Sequence, residues 1–308
     1  MWIKGGSVMN NNIEIEESIQ SGIAYLLSQT ENGLCLEYHC RRHGPSTSWT
    51  TACVGSALSC VGVIDKKMVD AVLSLQHENG GWAYNHLTPP DTDSTLRVIE
   101  FLQKIGFQDK SVMRRAEEFV ILHQGIDGGF STYLPDSWSF EEYGDQKGWS
   151  SSHPDVTAVA IEVLSKNALS DKKAISKARQ YLDGYIFENG PTSYWWNTQM
   201  YIIYTFDCIQ KIPAVYDAIS ISLALLQEAR HGIADNKKIG GLLSLQNANG
   251  SFRPSRQLKI PRPHEMLNTI NPRTVSIEPD ENSILSTSAA IVALHKQLTL
   301  LKNKEGKR

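Results

Sequence analysis

The chain has no surplus of positive charge: 30 Lys and Arg face 33 Asp and Glu, a formal net charge of −3 over 308 residues. Proteins that grip nucleic acid through its phosphates need clustered basic side chains. Here the only basic cluster at an end is the short tail KNKEGKR, so no nucleic-acid partner is expected. Long apolar runs are missing too. No segment reaches the roughly 18 uninterrupted apolar residues of a membrane span, and MWIKGGSVMNNNIEIEES at the N-terminus lacks the apolar heart of a signal peptide. The reading is a cytoplasmic protein with no transmembrane segment, peripheral membrane contact being left open. Cysteines are few and odd in number, five in all, which suits free thiols in a reducing compartment rather than a disulfide framework. Cys35, His39, Cys40 and His43 crowd together in CLEYHCRRH, but their spacing matches no common zinc pattern, so no metal site is expected. Strings of the GxGxxG, Walker A, nucleophile-elbow and HExxH kinds are also absent, which leaves nucleotide, hydrolase and zinc-protease chemistry without support.

What is present is a repeat. LLSQTENGLC, LSLQHENGGW, ILHQGIDGGF and LSLQNANGSF each read as an apolar helix end, Gln, three residues, Gly, and then usually an aromatic. YIFENGPTSYWW is a degenerate fifth copy. The marking glycines are Gly33, Gly80, Gly128, Gly190 and Gly250, spaced 47, 48, 62 and 60 apart, which is one helix pair per repeat. Each sits where a helix should stop, since a left-handed residue after a helix end costs little only for Gly or Asn.

The segments before the glycines, such as VDAVLSL and KSVMRRAEEFVILHQ, are amphipathic, with apolar residues at three-to-four spacing. Those after them, SWTTACVGSALSCVG, DSTLRVIEFLQKIG, DVTAVAIEVLSKN and ENSILSTSAAIVALHK, are poor in charge and rich in small residues, as helices buried on most sides are. Alternating outer and inner helices predict an all-α fold, an α/α toroid of five to six helix pairs with the inner-helix N-termini gathered at one mouth. Periodicity alone also allows an open solenoid. PAVYDAISISLALLQEARHG, 213–232, predicts one further helix. The predicted organisation is a flexible N-terminus over 1–12, one barrel domain over 13–300 and a flexible tail over 301–308. Long polar loops at 131–152 and 251–281 interrupt the rhythm, and loops of that length are often functional.

The chemistry hangs on PPDTDSTL, residues 89–96. One aspartate there is a natural helix cap. A second, Asp93 beside Asp91, asks for another role. At this point the glutamine–glycine–aromatic repeat, fullest in Gln76, Gly80, Gly81 and Trp82, resembles the QW motif of the squalene-hopene cyclase and class II terpene cyclase superfamily, whose toroid the protein prenyltransferases share. DTDST resembles that superfamily's DxDD acid motif. The resemblance implies a proton-initiated terpene or meroterpenoid cyclase: Asp93 would protonate a terminal alkene or epoxide of a linear isoprenoid, with Asp91 the flanking carboxylate. Ser94 stands where the motif's last aspartate is expected. The chain is long enough for only one of the two domains of triterpene cyclases, so the active site must lie inside a single barrel.

An alkene is a feeble base, so its acid must stay protonated near neutrality, whereas an ordinary Asp titrates near 3.9. Burial can raise a carboxylic acid by as much as about 3 to 5 units, outweighing the helix N-terminus, and a neighbouring carboxylate adds to it. His153 is a candidate to orient or re-protonate the acid, against the alternative of a loop residue before a proline turn. Asp155 reads first as the N-cap of its helix. Aromatic faces would steady a carbocation, and the candidates are Tyr194, Trp195, Trp196 and Tyr201 together with Trp49, Trp82, Tyr84, Trp138 and Trp149 near other turns. No cofactor is required by this reading, although a diphosphate-bearing substrate could bring Mg²⁺ with it. Two alternatives stay open. One is a non-catalytic toroid that holds a lipid or peptide at its mouth. The other is a prenyltransferase-like enzyme, for whose zinc the later repeats offer only Cys208 with His264 or His295. The sequence does not set the oligomeric state.

Overall fold

A computed structural model describes residues 5–40, 43–166, 171–208 and 211–306. The side chains of His39 and Cys40, and with them the Cys-His cluster, lie outside the described residues, as do positions 1–4 and 307–308 of the two terminal segments. In chain order the elements are α1 (Gly5–Ser28), β1 (Glu37–Cys40), β2 (Gly44–Ser46), α2 (Ser48–Cys60), α3 (Lys66–Ser74), β3 (Trp82–Ala83), β4 (Pro90–Asp91), α4 (Thr92–Lys104) and α5 (Lys110–Leu122). There follow β5 (Phe130–Ser131), α6 (Phe140–Tyr143), β6 (Ser152–His153), α7 (Pro154–Ser165), α8 (Lys172–Asn189), α9 (Met200–Phe206) and α10 (Ala218–Arg230). The last are α11 (Asn236–Leu243), β7 (Arg256–Ile260), β8 (Ser276–Pro279) and α12 (Ile284–Glu305). The strands form four antiparallel two-stranded ribbons of consecutive pairs, all at loop bases.

Helices α3, α5, α8 and α11 share a start signal that the sequence displays openly: Asp65, Asp109, Asp171 and Asp235 each accept a hydrogen bond from a backbone N–H in the first turn. Burial separates outer from inner helices. Ten of the 13 residues of α2 and eleven of the 13 of α10 are buried, against two of nine in α3, so α2 and α10 are enclosed while α3 lies on the rim. The inner helices close a ring: α2 packs on α4, α4 on α7, α7 on α9, α9 on α10, α10 on α12 and α12 back on α2. Outside it α3 covers α2, α5 covers α4, α8 covers α7, α11 covers α10 and α1 covers α12. The fold is an all-α toroid, closed rather than an open solenoid. The predicted helix in 213–232 is α10, and α9 fills the inner position that the periodicity did not reveal. Among the described residues α12 alone is long and apolar enough to cross a membrane, but it is enclosed by α1, α2 and α10.

The glycine turns fasten the ring. A Cβ on Gly33 would meet the backbone carbonyl of Lys67 at 2.3 Å, on Gly80 that of Arg115 at 2.4 Å, on Gly128 that of Lys177 at 2.6 Å, and on Gly250 that of Ser21 at 2.3 Å. Each turn therefore presses on the next outer helix, and the last presses on the first. The repeat glutamines reinforce this contact. The side-chain amide of Gln76 bridges the carbonyls of Gly80 and Val112, that of Gln124 bridges Gly128 and Ala174, and that of Gln246 bridges Gly250 and Ser18. Two residues beyond each glycine, the backbone N–H of Cys35, Trp82, Phe130 and Phe252 donates to a threonine hydroxyl on the following inner helix: Thr51, Thr95, Thr157 and Thr287. Gly190 docks on nothing, in keeping with its degenerate copy.

The seam between first and last repeats carries two buried carboxyls. Glu37 accepts from the N–H groups of Asn282 and Ile284, and Asp280 from those of Leu285 and Ser286, so both hold the start of α12. Burial and the hydrogen-bonded Glu37 carboxyl push Asp280 well above the usual carboxylate range, so the pair keeps a proton.

Gly250→Ala should cost at least about 3 kcal/mol in urea unfolding, because a left-handed residue and a backbone clash combine. Gly144→Ala, with φ of 65° but open space around it, should cost only about 1–2 kcal/mol. Equal losses would show that the docking contact contributes nothing beyond the dihedral.

Candidate active site

The inner helices deliver their second residues to the mouth of the barrel. Trp49 is the second residue of α2, Asp93 of α4 and Asp155 of α7. Above them lies a cavity of about 620 Å³. Its wall carries Asp91, Asp93 and Ser94, the aromatic rings of Trp49, Tyr84, Tyr133, Trp138, Tyr143, Trp149 and Trp195, and Leu258, Ile260, Pro261 and Pro263. Thr88 and Thr132 are the neutral polar side chains besides Ser94, and His43, Glu142, Arg262 and His264 add ionisable ones.

The two motif aspartates part company. Asp91 is buried and caps α4: Oδ1 accepts from the Ser94 N–H and Oδ2 from the Ser94 hydroxyl, both at 2.7 Å. Ser94 thus supplies a hydrogen bond to Asp91 from the position where the motif's final aspartate is expected. Asp93 is part-buried and lines the cavity. It accepts one hydrogen bond, from Trp49 Nε1 to Oδ2 at 2.8 Å, and its Oδ1 has no protein partner among the described residues. Desolvation raises both acids, Asp91 to about 7 and Asp93 to about 6. For Asp93 that upward push is opposed by the Arg97 cation and the Trp49 hydrogen bond, and the nearby Asp155 carboxylate adds to the rise. Repulsion within the Asp91–Asp93 doublet is the lesser effect. A desolvated carboxylic acid with one free oxygen on an apolar, aromatic wall can hand a proton to a weak carbon base.

His153 is fully buried and both its ring nitrogens are occupied. Nε2 lies 2.8 Å from the Gly148 carbonyl, which only accepts, so Nε2 bears the proton and Nδ1 accepts from the Thr132 hydroxyl at 2.9 Å. Thr132 in turn accepts from Trp195 Nε1 at 2.7 Å. Burial lowers the imidazole to about 4, so it is neutral and orients Trp195 through Thr132. Asp155 is not an N-cap, for His153 occupies that position; its Oδ2 accepts from the Ser193 hydroxyl and the Trp195 N–H. Both residues therefore hold Trp195 on the wall, helped by the Lys259 N–H of β7, which donates to the Trp195 carbonyl.

The other sequence candidates fall in two places. Trp49, Tyr84, Trp138, Trp149 and Trp195 line the cavity. Trp82, Tyr194, Trp196 and Tyr201 do not. Trp82 is fully buried with Nε1 donating to the Val72 carbonyl, Tyr194 stacks on His153 with its hydroxyl on the Glu265 carbonyl, and Trp196 stacks on Tyr201 at 4.4 Å behind Trp49. The loop at 131–152 contributes a second aromatic cluster, and Trp149 fastens it to the other long loop through the carbonyls of Pro261 and Pro263. Thr132, Tyr133, Tyr143 and most of the 258–264 stretch also line the cavity; the sequence marks the long loops that carry them, 131–152 and 251–281, but nothing in their spacing marks these aromatic and apolar residues individually. Among the described residues no group of three or more His, Cys, Asp or Glu could hold a metal ion.

With this geometry known, the chain can be set beside known proteins. No protein-family model matches it, and no curated protein matches it in sequence. Solved structures do. The type II terpene cyclase MstE from Scytonema, in a variant bound to its substrate geranylgeranyl dihydroxybenzoate, superposes with a TM-score of 0.77 at 18% identity, covering 95% of this chain and 99% of that one. The present chain has the type II terpene cyclase fold. A protein from Actinoplanes matches with a TM-score of 0.75 at 21% identity over 92% of this chain and 99% of that one. The ent-copalyl diphosphate synthase from Streptomyces platensis matches at 0.52 and 14% identity, over 81% of this chain and 50% of that larger one. In this terpene cyclase fold the chain forms one barrel, and its cavity lies at the mouth of that barrel.

The raised acid has a consequence for stability. Folded Asp93 holds its proton up to about 6 whereas the unfolded side chain releases it near 3.8. Stability from this group is therefore full below about 3.8 and is lost as pH rises through about 6. Asp93→Asn has no charge to bury, so it should be more stable than the native chain at pH 8 by about 1–3 kcal/mol, the advantage fading towards pH 4. Urea unfolding at the two pH values measures it.

Proposed function

We propose that this chain is a class II, proton-initiated terpene or meroterpenoid cyclase, with Asp93 as the proton donor. The observation that carries the reading is Asp93 itself: a part-buried acid with one oxygen held by Trp49 and the other facing an aromatic cavity. A linear isoprenoid enters with its terminal double bond against Asp93. With an alkene terminus the O–H bond at Asp93 breaks, the π electrons form a C–H bond, and the positive charge appears on the more substituted carbon; with an epoxide terminus the proton goes to the ring oxygen, the C–O bond breaks, and the charge appears on the carbon released. Internal double bonds then add to that centre in turn. Loss of a proton from carbon ends the cascade and restores the proton count.

The rings of Trp49, Tyr84, Trp138, Trp149 and Trp195 offer π faces to the moving charge, each worth up to about 2 kcal/mol when dry. The four indoles offer no free lone pair to trap it, and the Tyr84 hydroxyl donates to the Tyr38 carbonyl. An acid near 6 is a suitable compromise at neutral pH, protonated often enough to be ready and still a usable donor. MstE, of like fold, is described with an aryl-headed geranylgeranyl substrate, which makes that class the first to try. Asp91 acts as the cap that fixes α4, with His153 and Asp155 behind Trp195. The catalytic unit is the barrel of five to six helix pairs over 13–300. The proton comes from the protein, so the step needs no cofactor, and Mg²⁺ would enter only with a diphosphate head group. The partner is a small isoprenoid molecule, met in the cytoplasm or at a membrane surface that supplies it.

Incubation with geranylgeranyl dihydroxybenzoate and with geranylgeranyl diphosphate, followed by mass spectrometry and NMR of the products, tests the reading. Cyclised products of unchanged mass are expected from at least one. Asp93→Asn should lower turnover by at least about 10³-fold while still retaining substrate, and the native rate should fall about tenfold per pH unit above about 6. Undiminished turnover by the Asn variant would remove Asp93 from the chemistry.

A further inference from the structure

One face of α4 carries a string of alternating charge. Asp93, Arg97, Glu100 and Lys104 follow at spacings of four, three and four, which puts all of them on one side of the helix. Asp93 lies at the cavity end. One turn deeper, the Arg97 guanidinium pairs with Glu100 at 2.8 Å and donates to the Tyr201 hydroxyl, and Lys104 closes the string with its own 2.8 Å pair to Glu100. The Arg97 side chain is only 15% exposed, and its Nε has no hydrogen-bond partner. A single carboxylate, Glu100, is thus shared between two cations, and one positive charge of the string is left to be balanced from the Asp93 end. An inner helix otherwise lined with Leu, Val, Ile and Phe does not need a largely enclosed arginine for packing.

We propose that Arg97 is the fixed countercharge of Asp93, a positioning residue that stabilises the carboxylate left behind when the proton moves to carbon. This rests on Asp93 being the proton donor. Before transfer Asp93 is neutral. Afterwards it is an anion facing a cation in a dry cavity, and the two would recombine by return of the proton or by attack of the carboxylate on the cation. A guanidinium one turn away stabilises the anion throughout the cascade without touching the substrate, since it is absent from the cavity wall. The groups that face Asp93 agree with this. Trp49 of α2 holds it by a hydrogen bond; Cys53 of α2, Asp155 of α7, Tyr201 of α9, and Asp91, Arg97 and Glu100 of its own chain segment act on it through charge, while His43, Glu142, Arg262 and His264 stand on the same cavity wall. Of the two arginines, Arg97 is the one carried by Asp93's own helix and fixed by an ion pair, whereas Arg262 lies on the loop side of the cavity. The aromatic stack of Tyr201 on Trp196, itself 6.2 Å from Trp49, lies beside Arg97, whose guanidinium donates to the Tyr201 hydroxyl.

The test is the pH dependence of kcat in Arg97→Gln and Arg97→Lys, with Asp93→Asn as the reference for the acid. Arg97→Gln should lower kcat about 100-fold with KM within about threefold, and move the alkaline limb of the profile upward by about one pH unit, since the acid becomes weaker. Arg97→Lys keeps the charge and should bring the limb back and the rate to within about tenfold of native. A limb left in place in folded Arg97→Gln, or a lysine variant as slow as the glutamine one, would overturn the proposal. If Arg97→Gln does not fold, Tyr201→Phe carries the same test, because it releases the guanidinium while keeping the ring; a smaller upward move of the limb is expected, and an unmoved limb overturns the proposal. An active Asp93→Asn enzyme would instead show that the choice of acid is at fault.

Discussion

The architecture depends on a backbone contact that only glycine permits. At Gly33, Gly80, Gly128 and Gly250 the turn lies so close to a carbonyl of the next outer helix that no Cβ fits, and three of the four are braced by a repeat glutamine. Because the fourth contact reaches back to α1, local docking becomes global closure. A closed ring gathers the inner-helix N-termini around a shared mouth, and the long loops roof that mouth. The space beneath is lined largely by aromatic and apolar side chains, and burial of Asp91 and Asp93 beside it raises both carboxyls. From glycine to acid the steps form one causal line.

How much of this the amino-acid sequence discloses follows from the range of each interaction. The repeat, the outer and inner helix characters and the Asp91–Asp93 doublet are legible because each is written within a few residues: Gln and Gly four apart, Asp before four of the five outer helices, two carboxylates around one threonine. Placement of aromatics is another matter. Trp82 and Trp49 look alike as strings, yet one is fixed to the Val72 carbonyl in the core and the other to Asp93 at the cavity. The difference lies in which residue takes the second position of an inner helix, a register set by where each helix starts. That register is readable afterwards for Trp49, Asp93 and Asp155 alike. The contributions of Tyr133, Tyr143 and the 258–264 stretch are not, since they depend on two loops, more than 100 residues apart in sequence, meeting at Trp149. Thr51, Thr95, Thr157 and Thr287 form a further signal within the repeat, obscured by unequal spacing from the glycines.

Burial of a carboxyl does not by itself make an acid catalyst, and the molecule contains its own control. Glu37 and Asp280 are more deeply buried than Asp93, and the pair also holds a proton, yet their oxygens are taken up by backbone N–H groups at the start of α12 and by each other. Their work is to join the last repeat to the first. Asp93 differs in having one oxygen without a protein partner, on a wall that a hydrocarbon could touch. Geometry separates the two uses of the same desolvated chemistry.

The opposing influences on Asp93 can be weighed. The N-terminus of α4 favours the anion by about 0.3–1 kcal/mol, too little to hold the group at its ordinary value against burial. A rise from 3.8 to about 6 corresponds to about 3 kcal/mol, so desolvation exceeds the combined pull of the helix, Trp49 and Arg97. Stronger desolvation would not improve the acid for the proposed reaction. An acid raised to about 9 would always be protonated at pH 7 but would give up its proton at a cost greater by about 4 kcal/mol, whereas one near 6 is protonated about a tenth of the time, a penalty of only about 1.4 kcal/mol. In the proposed reaction the indole N–H of Trp49 and the guanidinium of Arg97 would thus do more than soften the burial: they would keep the acid strong enough for carbon while desolvation keeps it loaded.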